Sequence, residues 1–198
     1  MDVQGGGWLR IHFGMTGALR YHREGEEPDH TRLRIDFENG FHLAFQNMRK
    51  LGMIGLIRDP ERWGRDEGLG PDALAVSGAR FRSLLRGRRG MIKSLLMDQH
   101  VIAGLGNVYA DEVLFQSAVH PRAPAAALGG DALAGMRDTM VGVLERAVDA
   151  RARPERMPSD WLIAHRHSGG TCPLCGKDLE SVKVSGRTAY YCPHRQPE

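Results

Sequence analysis

Between Lys93 and Arg122 the chain reads KSLLMDQHVIAGLGNVYADEVLFQSAVHPR, an order of residues best accommodated by two helices joined by a glycine turn. Ile92, Leu95 and Leu96 have helical spacing, and Val101 and Ile102 follow as the chain leaves the first helix. Gly104-Leu105-Gly106 supplies backbone freedom that a Cβ would resist. Asn107 stands at the expected N-cap of the second helix, ahead of Val108, Tyr109, Val113, Leu114 and Phe115. Asp111 and Glu112 are expected near its first turn, where the dipole favours acids. A capping Asn accepts from an orphan helix N–H while its NH2 donates outward. Free N–H groups and a positive dipole end make the same spot a receptor for an anion such as phosphate.

Directly before this hairpin, Arg80, Arg82, Arg86, Arg88, Arg89 and Lys93 run with no acid among them. Alone, such a run is a solvated face; beside a phosphate-receiving turn it becomes an electrostatic footprint for nucleic acid. The formal net charge is only +3, compatible with a nucleic-acid partner without demanding one. At 198 residues and 41% hydrophobic the chain buries one ordinary core or two small ones. No signal peptide and no apolar run of bilayer length are visible, so the expected location is the cytoplasm, without a membrane partner. Three cysteines cannot all pair internally and two form a C-x-x-C, which points to a reducing compartment and a metal site.

The first 58 or so residues read as strands of one antiparallel sheet, or part of one. Trp8–Phe13 and Leu33–Phe37 alternate, Glu38-Asn39-Gly40 is a hairpin turn, and Phe41, Leu43 and Phe45 follow at period two. Arg23–His30 reads as a loop, and 59–79, with its glycines and prolines, as a turn-rich linker. Helices begin near Arg80, and a third amphipathic helix carries Leu133, Met136, Met140, Val143, Leu144 and Val148 as packing residues. The expected class is α+β: a partial antiparallel β-sandwich over 1–68, a helical domain over 69–162, and a zinc-finger-like tail over 163–198.

In that tail, Thr171–Gly176 and Gly186–Pro193 read as two knuckles of a β-hairpin. So short a piece has little core of its own, and Zn2+ is the expected staple. Cys172, Cys175 and Cys192 are the expected ligands with His194 as the fourth, although its C-x-H bite is tight; His165 or His167 are the alternatives, as is a zincless hairpin of the same shape.

The stretch Lys93, Asp98, Gln99, Gly104–Asn107, Tyr109, Ala110, Glu112, Leu114, Phe115 and His120-Pro121 closely resembles the helix–two-turns–helix motif of the formamidopyrimidine-DNA glycosylase / endonuclease VIII family, which excises oxidised bases from DNA. In weaker form the resemblance covers nearly the whole chain. It implies that Lys93 and Asn107 contact phosphates around a lesion and that Tyr109 belongs to the DNA-facing set. His12–Gly17 resembles the loop that presents a methionine, here Met15, to the base stack. Asn47–Gly52 resembles the loop that supplies an arginine, here Arg49, and an aromatic wedge, here Leu51. Filling the hole left by an everted base in this way restores stacking and offers the orphaned base a hydrogen-bond donor. The tail resembles the family's zinc finger, whose arginine, at Arg187, grips a phosphate; the family's fourth cysteine would fall at Arg195.

The family's chemistry uses an N-terminal proline amine, an adjacent glutamate and a lysine from a following hairpin; an amine of depressed pKa suits imine formation with an opened sugar. The chain begins Met1-Asp2-Val3-Gln4, so no catalytic residue is assigned within it. The short segment between Arg151 and Cys172 lacks the longer base-capping loop of the guanine-oxidation specialists, leaving pyrimidine lesions and abasic sites equally open. Three readings follow: a glycosylase with abasic-site lyase activity, a catalytically silent binder of damaged or abasic double-stranded DNA, and a zinc-ribbon RNA or protein adaptor. The first two imply a nucleoid-associated bacterial monomer.

Overall fold

The computed structural model describes residues 2–3, 7–14, 16–23, 25 and 27–198, and the chain divides into two compact units, Met1–Glu67 and Gly68–Glu198. Met15 lies outside the described residues.

In the first unit the alternating stretches form strands, but in two three-stranded antiparallel sheets. One has the order β1 (Asp2–Val3), β2 (Gly7–His12), β6 (Met53–Ile57); the other β3 (Gly17–Arg23), β5 (Phe41–Asn47), β4 (Thr31–Asp36). Gly40, at φ 74°, closes the β4–β5 turn as its sequence demands. Buried Phe45 packs tilted against Phe13, ring centroids 6.1 Å apart. The expected linker contains a helix, α1 (Pro60–Asp66): Asp59 caps it by accepting from the Arg62 N–H at 3.0 Å, and Pro60 occupies its first position. The Asp-Pro pair that reads as a turn is thus a helix start, and Arg10 stacks over Trp63 of this helix at 4.3 Å.

The second unit is built on α2 (Gly78–Leu85), α3 (Ile92–Leu96), α4 (Asn107–Gln116) and α5 (Gly130–Asp149), followed by the hairpin β7 (Glu180–Val184) and β8 (Arg187–Tyr191). Leu133, Met136, Met140, Val143 and Leu144 of α5 are buried with Phe81, Leu85, Ile92, Leu96 and Leu114 in one core. Val148 is not part of it; Ala147 takes the inward position at this turn of the helix and Val148 is left 65% exposed. A second small core joins Phe115 of α4 to Leu162, Cys172 and Cys192. The tail therefore borrows apolar surface from α4 instead of closing on itself. Ser185 and Gly186, both at positive φ, make the tight hairpin turn between β7 and β8. Among the described residues no helix is long and apolar enough to cross a membrane.

Candidate nucleic-acid interface and metal centre

The N-cap of α4 is Gly106, in extended conformation and without a side-chain cap, and Asn107 is the first helical residue. A residue with helical φ/ψ cannot turn its amide back onto the N–H groups that follow, so the expected capping bond is absent. Asn107 Nδ2 donates instead to the Thr188 carbonyl of β8 at 3.3 Å, and its Oδ1 is buried without a partner. The first N–H groups of α4 are left for an external acceptor.

The Thr188 carbonyl receives two further donors, Lys93 Nζ at 3.4 Å and Arg166 Nη2 at 3.0 Å. Asp111 lies behind them, one turn deeper in α4 than the sequence suggested and fully buried. Its carboxylate is 2.5 Å from Lys93 Nζ, accepts from Arg166 Nε at 2.7 Å, and accepts from the Tyr190 N–H at 3.2 Å. Arg166 also stacks on Tyr190 at 5.2 Å. α3, α4, the short turn Leu162–His165 and β8 thus converge on one carboxylate and one carbonyl.

Lys93, expected on the DNA side, is 0% exposed. Its charge is answered inside by Asp111, because a buried ammonium without a partner is prohibitively costly. Burial holds Lys93 below its usual pKa, with Asp111 opposing that shift and the Arg166 and Arg187 charges adding to it. Arg187 itself is exposed, beside Thr188. The structure therefore brings Lys93, Asn107 and Arg187 together. Tyr109 does not join them; it lines an apolar cavity of about 340 Å³ with Leu74, Leu144 and Val148, where burial raises its phenol pKa. Arg80, Arg82, Arg86, Arg88 and Arg89 are exposed, and among the described residues none has an acidic partner.

Sequence reasoning missed Arg166 and the inward role of Asp111. Nothing local signals either one, since their contact joins residues that lie far apart in the chain. Glu112 was also misplaced: it is buried, accepts from the Ile163 N–H at 3.0 Å and the Gln116 amide at 2.8 Å, and burial pushes its carboxyl up to about 7.

In the first unit, Met48-Arg49-Lys50-Leu51 forms the exposed turn after β5. Buried Asn47 holds it, accepting from the Leu51 N–H at 3.1 Å while donating to the Phe13 carbonyl at 3.2 Å. Gly14, at φ 63°, sits so close that a Cβ there would meet the Leu51 carbonyl carbon at 2.7 Å. The two loops that the sequence singled out are therefore neighbours, with Arg49 on one and Met15 falling outside the described residues on the other.

In the tail, the sulfurs of Cys172, Cys175 and Cys192 lie within 4.8 Å of one another. This donor set suits a soft or borderline divalent ion. Lys177 N–H, the neighbouring thiols and the Arg195 charge hold the Cys175 thiol below its usual pKa, while burial pushes Cys192 up to about 11. His194 is exposed and, among the described residues, contributes no atom to the group; His165 and His167 are likewise outside it.

A helix–turn–helix tip joined to a cysteine hairpin defines a class of protein, and comparison assigns it. The family model described as the formamidopyrimidine-DNA glycosylase H2TH domain matches residues 68–157, and the one described as the N-terminal domain of the same enzymes matches residues 1–54. The formamidopyrimidine-DNA glycosylase of Roseiflexus sp. is 35% identical, covering 96% of this chain and 75% of its own length. That of Gloeobacter violaceus is also 35% identical, covering 95% and 72%. The Lactococcus lactis Fpg in complex with abasic-site DNA superimposes with a TM-score of 0.82 at 26% identity, covering 96% of this chain and 75% of that one. MutM in complex with carbocyclic 8-oxo-G DNA gives 0.83 at 27% identity, with 96% and 74% covered. The chain belongs to the formamidopyrimidine-DNA glycosylase family.

Proposed function

We propose that this protein acts in base-excision repair, binding double-stranded DNA that holds a damaged base or an abasic site, as a DNA glycosylase with abasic-site lyase activity of its family's kind. The observation that carries this reading is the meeting of Asn107 and Arg187 over the buried Lys93–Asp111–Arg166 group. The α4 N-terminus and Arg187 grip phosphates, and Lys93 acts from inside by keeping the Thr188 carbonyl in place. Arg49 and Met15, on adjoining loops, fill the space left by an everted base. Zn2+ bound by the cysteine group fixes the hairpin that carries Arg187. The protein works as a monomer in the cytoplasm of a bacterium, associated with the nucleoid.

Borohydride trapping on abasic duplex DNA tests the reading. A covalent adduct supports the enzyme, whereas preferential binding of abasic over intact duplex without an adduct supports a silent binder. Equal affinity for both duplexes overturns the damaged-DNA assignment.

Asn107→Ala is expected to weaken binding to abasic duplex by about 1–3 kcal/mol, through loss of one charge-assisted contact. Unchanged affinity in a mobility-shift titration removes Asn107 from the interface. Arg187→Ala is expected to lower the slope of log affinity against log salt by about one, the signature of a single phosphate contact. A slope equal to that of the wild type would place Arg187 off the DNA.

A further inference from the structure

The two cysteine knuckles follow one hydrogen-bond plan. The Cys172 carbonyl accepts from the Gly176 N–H at 2.8 Å, and the Cys192 carbonyl accepts from the Gln196 N–H at 2.8 Å. In the first knuckle the residue before the donor is Cys175; in the second it is Arg195. Arg195 thus stands where a fourth sulfur would complete the set. Its guanidinium lies over the Phe115 ring at 5.5 Å, and its Nε is buried without a partner.

The three sulfurs have a spacing that a metal would need. Cys175 Sγ is 3.6 Å from Cys192 Sγ; two thiolates each about 2.3 Å from one tetrahedral ion sit about 3.8 Å apart. Among the described residues no histidine or carboxylate brings a fourth ligand atom into the group. Gln196 is committed elsewhere, its Oε1 accepting from the Cys192 N–H at 3.0 Å and its Nε2 donating to the Val119 carbonyl at 2.8 Å. Charge points the same way. A divalent ion on three thiolates carries a net charge of −1, which the Arg195 guanidinium offsets.

We propose that Cys172, Cys175 and Cys192 form a three-thiolate metal centre whose fourth coordination position is open to an exogenous monodentate anionic donor, a thiolate or hydroxide, with Arg195 supplying the compensating charge. This rests on the reading of the cysteine group as a metal site and is independent of DNA binding.

The full chain, stripped with chelator and reloaded with Co2+, provides the test. Thiolate-to-cobalt charge transfer and tetrahedral ligand-field bands are expected, and 2-mercaptoethanol is expected to shift the ligand-field bands saturably. His194→Ala leaves that spectrum unchanged. X-ray absorption at the zinc edge of the Zn2+-loaded wild type reads three sulfurs and one light atom, with the sulfur count rising to four when the thiol is added. Failure to take up Co2+, bands indifferent to the thiol, or loss of the spectrum in His194→Ala each overturns the proposal.

Discussion

Asp111→Ala is expected to destabilise the second unit by about 3–5 kcal/mol, the usual cost of leaving buried charge uncompensated. Asp111 is the only carboxylate paired with Lys93 or Arg166 among the described residues, and it also accepts from the Tyr190 N–H. Removing it strands an ammonium and much of a guanidinium, together with a backbone donor on β8. Asp111→Asn keeps an acceptor but not the charge, so its loss should fall between those of the wild type and the alanine variant. Urea unfolding of the metal-loaded chain reads the effect directly, as a lower midpoint at unchanged slope. A loss below about 1 kcal/mol for the alanine variant would mean that the group contributes no more than a surface pair.

The second large effect concerns acidity. Burial raises the Glu112 carboxyl from 4.5 to about 7, against hydrogen bonds from Gln116 and the backbone of Ile163 and Leu162 that favour the charged form. The folded chain therefore holds this proton more tightly than the unfolded chain does. The stabilisation is fully present below about pH 4.5, and it is lost as pH rises through about 7. The shift corresponds to about 3 kcal/mol across that window. Glu112→Gln cannot ionise, so its unfolding free energy should vary less with pH, and the difference between the two chains should grow in favour of the variant from pH 4.5 to pH 8. The neutral amide loses one of the two accepted bonds, which costs the variant about 1 kcal/mol at low pH. Parallel pH profiles for wild type and variant would show that Glu112 titrates normally.

Periodicity made part of this molecule readable. The alternation in Leu33–Phe37 and Phe41–Phe45 produced strands, and the apolar spacing around the Gly104–Gly106 turn produced two helices, because each depends on neighbours within a few residues. The short helix after Asp59 was hidden by glycines that ordinarily mark turns. It is held by a cap and by exposed pairs, Arg62 with Asp66 and Arg65 with Glu61. In the candidate site, the resemblance singled out Lys93, Asn107 and Arg187, which meet around Thr188, but gave no sign of where Lys93 points. A lysine closing a run of arginines looks solvated, and only its distant partner Asp111 draws it inward. Arg166 escaped notice for the same reason, and His194 was chosen by residue type when the knuckle's hydrogen-bond plan assigns that corner to position 195.

An sp² oxygen has two lone pairs, yet Thr188 is offered three donors, at 3.0, 3.3 and 3.4 Å. The oversubscription leaves at least one of them loosely held, able to turn toward an incoming acceptor while the other two keep the strand seated. Because the shared oxygen belongs to the main chain, no side-chain exchange at position 188 removes it. Evolution can retune this junction only through the residues that donate.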